Sequence, residues 1–132
     1  MFKIMALDVG TKRIGVAISD FLHVIALPHS CVPRQPEQAA IDAITKIAKD
    51  NHVEKIVIGL PKNMDGTIGE QAQDCINFSQ KFLGFDIIME DERLTSEEAE
   101  ERLRERKVDF KKNKGLVDIE SACVILEQYL GK

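Results

Sequence analysis

Apolar and polar positions alternate along the chain in two registers, one of short runs closed by glycine or proline and one of longer runs at helical spacing. Lys3 to Val9 is short, apolar and closed by Gly10, which predicts a buried strand. The turn Gly10-Thr11-Lys12-Arg13 leads into a second strand, Ile14 to Ser19, and the two form a hairpin. His23 to Val32 predicts a third strand, confined by Pro28 and Pro33 to an edge. Pro36 then opens a helix in which Ala39, Ala40, Ala43, Ile44, Ile47 and Ala48 recur on one side, ending near Asp50-Asn51. Ile56-Val57-Ile58 follows as a buried strand, and a strand–helix–strand crossover of this kind belongs to the parallel part of a sheet. A loop from Gly59 to Thr67, a helix from Ile68 to Leu83 and a strand from Phe85 to Met89 come next. Thr95-Ser96-Glu97-Glu98 reads as a capping box that starts a helix from Ser96 to about Arg106. The last helix runs from about Leu116 to Leu130 between Gly115 and Gly131.

This order predicts an α/β domain, and a chain of 132 residues fits a single one spanning 1–132. A hydrophobic content of 44% with 30% charged residues fits a soluble cytoplasmic protein, with no membrane segment and no signal-peptide pattern. Cys31, Cys75 and Cys123 are widely separated and form no C-x-x-C pair, so neither a disulfide framework nor a zinc site is expected. A formal net charge of −4 argues against a protein that coats nucleic acid indiscriminately. The stretch from Arg102 to Lys114 departs from that average, with seven cations against Glu105 and Asp109.

Candidate chemistry rests on carboxylates from three separated segments. Strand parity places Asp8 with Ile4 and Ala6, and a carboxylate closing an apolar strand loses solvation unless it is at the rim, paired, or bound to a cation. Glu90, Asp91 and Glu92 follow the fifth strand, and Asp118 lies in the first turn of the last helix, at helical spacing from Ala122 and Ile125. Carboxylates that converge despite their repulsion suit Mg²⁺ or Mn²⁺, and such ions activate water against a phosphodiester. Each feature also has an ordinary structural account. Asp118 complements a helix dipole, Glu90 to Glu92 are a solvated strand end, and the basic run is a solvated surface. Small Gly15 and Ala17 share a face of the second strand, where another element or a ligand can approach closely.

With these residues in place, the chain resembles the small bacterial family called YqgF or RuvX, whose members are described as Holliday junction resolvases and pre-16S rRNA nucleases. The resemblance is carried by four ordered blocks: Leu7-Asp8-Val9-Gly10-Thr11-Lys12-Arg13-Ile14-Gly15-Val16-Ala17, Gly59 to Thr67, Asp91-Glu92-Arg93-Leu94-Thr95 with Ala99-Glu100, and Lys114-Gly115-Leu116-Val117-Asp118 with Ala122 and Ile125-Leu126. It implies a ribonuclease H-like fold, a five-stranded mixed sheet of three antiparallel then two parallel strands flanked by helices. It also implies metal-dependent phosphodiester cleavage, with Asp8 and Asp118 at acidic positions and Asp91 or Glu92 as the third carboxylate. Many ribonuclease H-like nucleases carry an acid at the end of the fourth strand, whereas here that strand ends Gly59-Leu60-Pro61. Parity groups Asp91 with Phe85, Ile87 and Met89, and Glu92 with Ile88 and Glu90, and the sequence alone does not choose between them. Lys12, Arg13, Lys62 and Arg93 at the rim, and Arg104, Arg106, Lys107, Lys111, Lys112 and Lys114 in the basic stretch, are candidates for holding phosphates.

The expected substrate is structured RNA, with the 5′ end of pre-16S rRNA first and branched DNA as the alternative. Resolution of a four-way junction needs two symmetric sites, whereas RNA trimming does not, and a monomer or weak homodimer is expected. A non-catalytic nucleic-acid-binding module is a further alternative. An Asp-x-Gly-Thr turn also resembles the phosphate-binding hairpin of the actin and hexokinase superfamily, but those proteins build their cleft from two domains and this chain has the length of one.

Overall fold

A computed structural model describes residues 1–92 and 95–131, the side chains of Glu92 and Ser96 excepted. In chain order the elements are β1 (Lys3–Val9), β2 (Arg13–Ser19), β3 (Ala26–Pro33), α1 (Glu37–Asp50), β4 (Val53–Pro61), α2 (Glu70–Ser79), β5 (Asp86–Glu92), α3 (Thr95–Glu105) and α4 (Gly115–Leu130). The five strands form one sheet in the order β3-β2-β1-β4-β5. β1 and β3 are antiparallel to β2, while β4 is parallel to both β1 and β5. The expected mixed sheet, three antiparallel strands then two parallel ones, is the one observed.

The two faces of the sheet differ in the residues they bury. Met5, Leu7, Ile14, Val16, Ile18, Ile56 and Ile58 face α1 and α2, where Ile44, Cys75 and Phe78 complete the larger core. Their alternates Ile4, Ala6, Ala17 and Val57 face α4 and pack against Ala122, Cys123, Ile125 and Leu126. Small side chains on this second face let the α4 backbone come close to the strands. Gly15 is the limiting case, since a β-carbon there would collide with the Asp118 carbonyl oxygen.

Several boundaries differ from the sequence expectation. β3 starts at Ala26 because the chain turns through a left-handed residue, His23 at φ 59°. Leu22, Val24 and Ile25 are consequently exposed. α2 is confined to Glu70–Ser79, and Ile68 and Leu83, which extended the periodic pattern, are exposed beyond its ends. β5 continues past Met89 to Glu92 because its backbone keeps pairing with β4, Leu60 opposite Asp91 and Pro61 opposite Glu92. The predicted capping box is not formed by Thr95. Thr95 is already helical and its buried hydroxyl lacks a described hydrogen-bond partner, while the Glu98 carboxylate accepts from Arg102.

Candidate active site

The carboxyl ends of β1 and β4 and the start of α4 meet at one end of the sheet. Asp8 is half-buried one residue before the end of β1, and strand alternation puts it on the α4 face with Ile4 and Ala6. Across the antiparallel ladders Asp8 pairs with Gly15, and Gly15 pairs with Cys31. Because Gly15 has no side chain, the first turn of α4 settles directly on it and brings Asp118 beside the Asp8 row. Asp118 accepts a 2.6 Å hydrogen bond from Arg13 Nε, and its Oδ2 lies 4.0 Å from Cys31 Sγ. The same contact holds the Arg13 guanidinium above its ordinary pKa. The Cys31 thiol is pushed up, first by burial and then by the charge of Asp118, with Asp8 contributing in the same direction. Two carboxylates therefore act on one thiol in the direction that keeps it protonated, against a smaller opposing effect of Arg13.

Arg34 holds the turn that follows Asp8. It is buried, donates 2.9 Å to the Gly10 carbonyl, and reaches both Asp74 carboxylate oxygens at 3.1 and 3.0 Å. Its guanidinium also lies 4.5 Å from the centre of the Phe78 ring. The β1–β2 turn is thereby tied to α2. Nothing in the local pattern around Arg34 signals this, since its partner lies forty residues away.

The strand-five acids separate by parity. Glu90 pairs with Gly59, the residue after Ile58, which is itself opposite Leu7, so Glu90 stands level with Asp8 one strand beyond Gly59. Its neighbour Ile88 packs against the α4-side core, which sets Glu90 on the face of Asp8, and Glu90 is only 5% exposed. Asp91 points to the opposite face, its side chain 46% exposed and 4.0 Å from Lys62 Nζ. The structure thus brings Asp8 and Asp118 together, aligns Glu90 with them and sets Asp91 apart. The Glu92 side chain and Arg93 lie outside the described residues. The sequence counts Glu90 among the strand-five carboxylates and groups it with Ile88, but the family resemblance takes the third carboxylate from Asp91 or Glu92. Among the described residues, no group of three histidine, cysteine, aspartate or glutamate side chains stands close enough to hold a metal ion by itself.

The basic stretch is less uniform than its composition. Arg102 pairs with Glu98 and Glu127, Arg104 with Glu100 and Glu101, and Arg106 with Glu120 at 2.9 Å. Arg104 and Arg106 are thus engaged in tying α3 together and onto α4. Lys107, Lys111, Lys112 and Lys114, with Lys12 in the β1–β2 turn, are exposed. Arg13, Lys111, Lys114 and Asp118 share the wall of a cleft of about 350 Å³. Lys62 sits by Asp91 on the other face. Among the described residues, no helix is long and apolar enough to cross a membrane.

Comparisons with known proteins bear on the family and the fold. A family model described as RuvX, Holliday junction resolvase, matches residues 2–132. A protein of Halothermothrix orenii named "Putative pre-16S rRNA nuclease" is 42% identical over 131 residues, covering 97% of this chain and 94% of that one. Among solved structures, the Fowlpox virus resolvase in complex with Holliday junction DNA superposes with a TM-score of 0.61 at 11% identity, over 98% of this chain and 97% of that chain. RuvC of T. thermophilus with a Holliday junction substrate gives 0.55 at 10% identity, over 99% and 97%. At such low identity the structural likeness shows the fold, the ribonuclease H-like architecture of the resolvases.

Proposed function

Because the chain belongs to the RuvX family, we propose that it is a divalent-metal-dependent nuclease that hydrolyses phosphodiester bonds in structured RNA, processing the 5′ end of pre-16S rRNA. The observation that carries the reading is the pair of carboxylates from distant segments, Asp8 and Asp118, brought together over Gly15. Like charges gathered at the rim of an apolar core are retained when a cation or a cationic partner belongs between them. The RNA substrate is supported by the name of the Halothermothrix orenii relative.

One or two carboxylates completed by phosphate oxygens and water suffice for Mg²⁺, so Asp8 and Asp118 fit such an ion as its protein donors. Glu90 and Asp91 or Glu92 are the strand-five candidates for a third. The ion, when bound, polarises the scissile phosphate and lowers the pKa of the attacking water. Arg13 donates to Asp118 through Nε and so orients that carboxylate, and its terminal nitrogens are available to a phosphate oxygen. The exposed Lys12, Lys111, Lys112 and Lys114 hold the flanking backbone by charge. Arg34 keeps the Asp8 turn in place against α2.

Junction resolution is the second reading, favoured by the family description and requiring a dimer with two related sites. The test is cleavage of a precursor 16S RNA fragment and of a synthetic four-way DNA junction with Mg²⁺ and Mn²⁺, beside Asp8→Asn and Asp118→Asn proteins. Cutting of the RNA alone, abolished by both substitutions, is expected. Cutting of the junction alone by a dimer would replace this reading with the second, and undiminished cutting by the substituted proteins would refute the site.

A further inference from the structure

The connection between α3 and α4 holds one residue that neither core explains. Phe110 lies between Asp109 and Lys111 in the most charged part of the chain, is half-buried, and belongs to neither apolar cluster. It lines the same cleft as Arg13 and Asp118, together with Lys111, Lys114 and Val117. The Arg104 guanidinium stands 5.5 Å from the centre of its ring and is itself held by Glu100 and Glu101. Phe110 is thus a half-buried aromatic ring on the wall of a cleft that also carries Arg13, Lys111 and Lys114 with Glu100 and Asp118, one face of a ring beside three cations and one of the acid pair.

We infer that Phe110 is a stacking platform for one unpaired nucleobase next to the bond that is cut, with Lys111 and Lys114 holding the phosphates on either side of that nucleotide. The inference rests on the nuclease reading and narrows its substrate: the strand must offer an unstacked base beside the scissile phosphate, which a continuous duplex does not. The cleft, about 350 Å³, is at the small end of ligand clefts and suits a single nucleotide rather than a helix. Cations around a ring favour an electron-rich face, and stacking on phenylalanine accepts every base, so the subsite selects unpaired structure rather than sequence. Arg104 stiffens the ring and adds a positive charge beside it, a use of this residue distinct from direct phosphate contact.

The test uses the full chain without divalent metal, so that binding is read apart from cleavage. Short single-stranded RNA and DNA carrying a central 2-aminopurine, and the corresponding duplexes, are titrated at fixed salt, following fluorescence quenching and affinity together. Phe110→Ala is expected to weaken single-strand binding about tenfold or more and to abolish the quenching, while Phe110→Trp retains both and duplex binding is unchanged. Equal loss on RNA and DNA fits a base-directed site, and loss on RNA alone fits one that also reads the sugar. Phe110→Ala binding the single strand as tightly as the parent, or losing the duplex equally, would overturn the inference, provided its circular dichroism matches the parent. If the parent cuts neither substrate yet shows the Phe110-dependent quenching, the nuclease reading fails and the subsite stands. If cutting depends on Asp8 and Asp118 but is indifferent to Phe110→Ala, only the subsite fails.

Discussion

The two faces of the sheet bury similar lengths of strand and do different work. The face under α1 and α2 is filled by large side chains, among them Met5, Leu7, Ile14, Ile44, Ile56, Ile58 and Phe78, all fully buried. The face under α4 sets Ile4, Val57, Ile125 and Leu126 beside small residues, Ala6, Ala17 and Ala122, with Gly15 at its polar end. Burial of large apolar groups stabilises at about 25 cal/mol per Å², so the first face contributes most of the folding free energy. The second gives up some of that area in exchange for backbone proximity. Only there can the first turn of a helix lie on a strand and set Asp118 beside Asp8.

The contrast is broken most strongly on the large face. Ile44→Ala, on the buried side of α1, is expected to cost about 2–5 kcal/mol by leaving a cavity. Cleavage per folded molecule, measured well below the lowered midpoint, is expected to stay near that of the parent. Loss of activity in fully folded Ile44→Ala protein would show that the two faces are not separable.

On the small face the effect inverts. Gly15→Ala adds one methyl group where the Asp118 carbonyl already sits, so α4 must shift. The stability loss is expected to be about 1–3 kcal/mol, in the range of overpacked cores, with activity falling by at least a hundredfold. Denaturant unfolding beside single-turnover cleavage checks both, and a stable Gly15→Ala protein with full activity would remove the close approach from the argument.

The smallest change in stability is expected at Arg13. Its ion pair with Asp118 is about one-third exposed on the Arg13 side, so Arg13→Gln should alter stability by less than about 1 kcal/mol. Activity should nevertheless drop, and a rise in KM would assign Arg13 to phosphate binding while a fall in kcat would assign it to orienting Asp118.

Much of the fold was legible because it follows from local period. β1 is bounded as its apolar run predicts, α1 and α4 begin and end within a residue or two of their predicted limits, and Pro28 and Pro33 do lie on an edge strand. The candidate site was legible in part. Asp8 stands out because a carboxylate closing an apolar strand has few structural uses, whereas Asp118 also suits a helix dipole and Glu90 to Glu92 a solvated strand end.

The sequence by itself determined the kinds of element and their order, since alternation of two and recurrence near three and a half are properties of neighbouring residues. Tertiary structure decided which distant groups meet. Continued pairing with β4 carried β5 on to Glu92 and so turned Glu90 toward α4 and Asp91 away from it. The Glu120 and Glu127 side chains of α4 claimed Arg106 and Arg102, a choice invisible to a count of charges. Gly15 met Asp118 because two helix-facing surfaces closed on each other across a hundred residues of chain. Such contacts depend on which faces are brought together, and no local pattern records that.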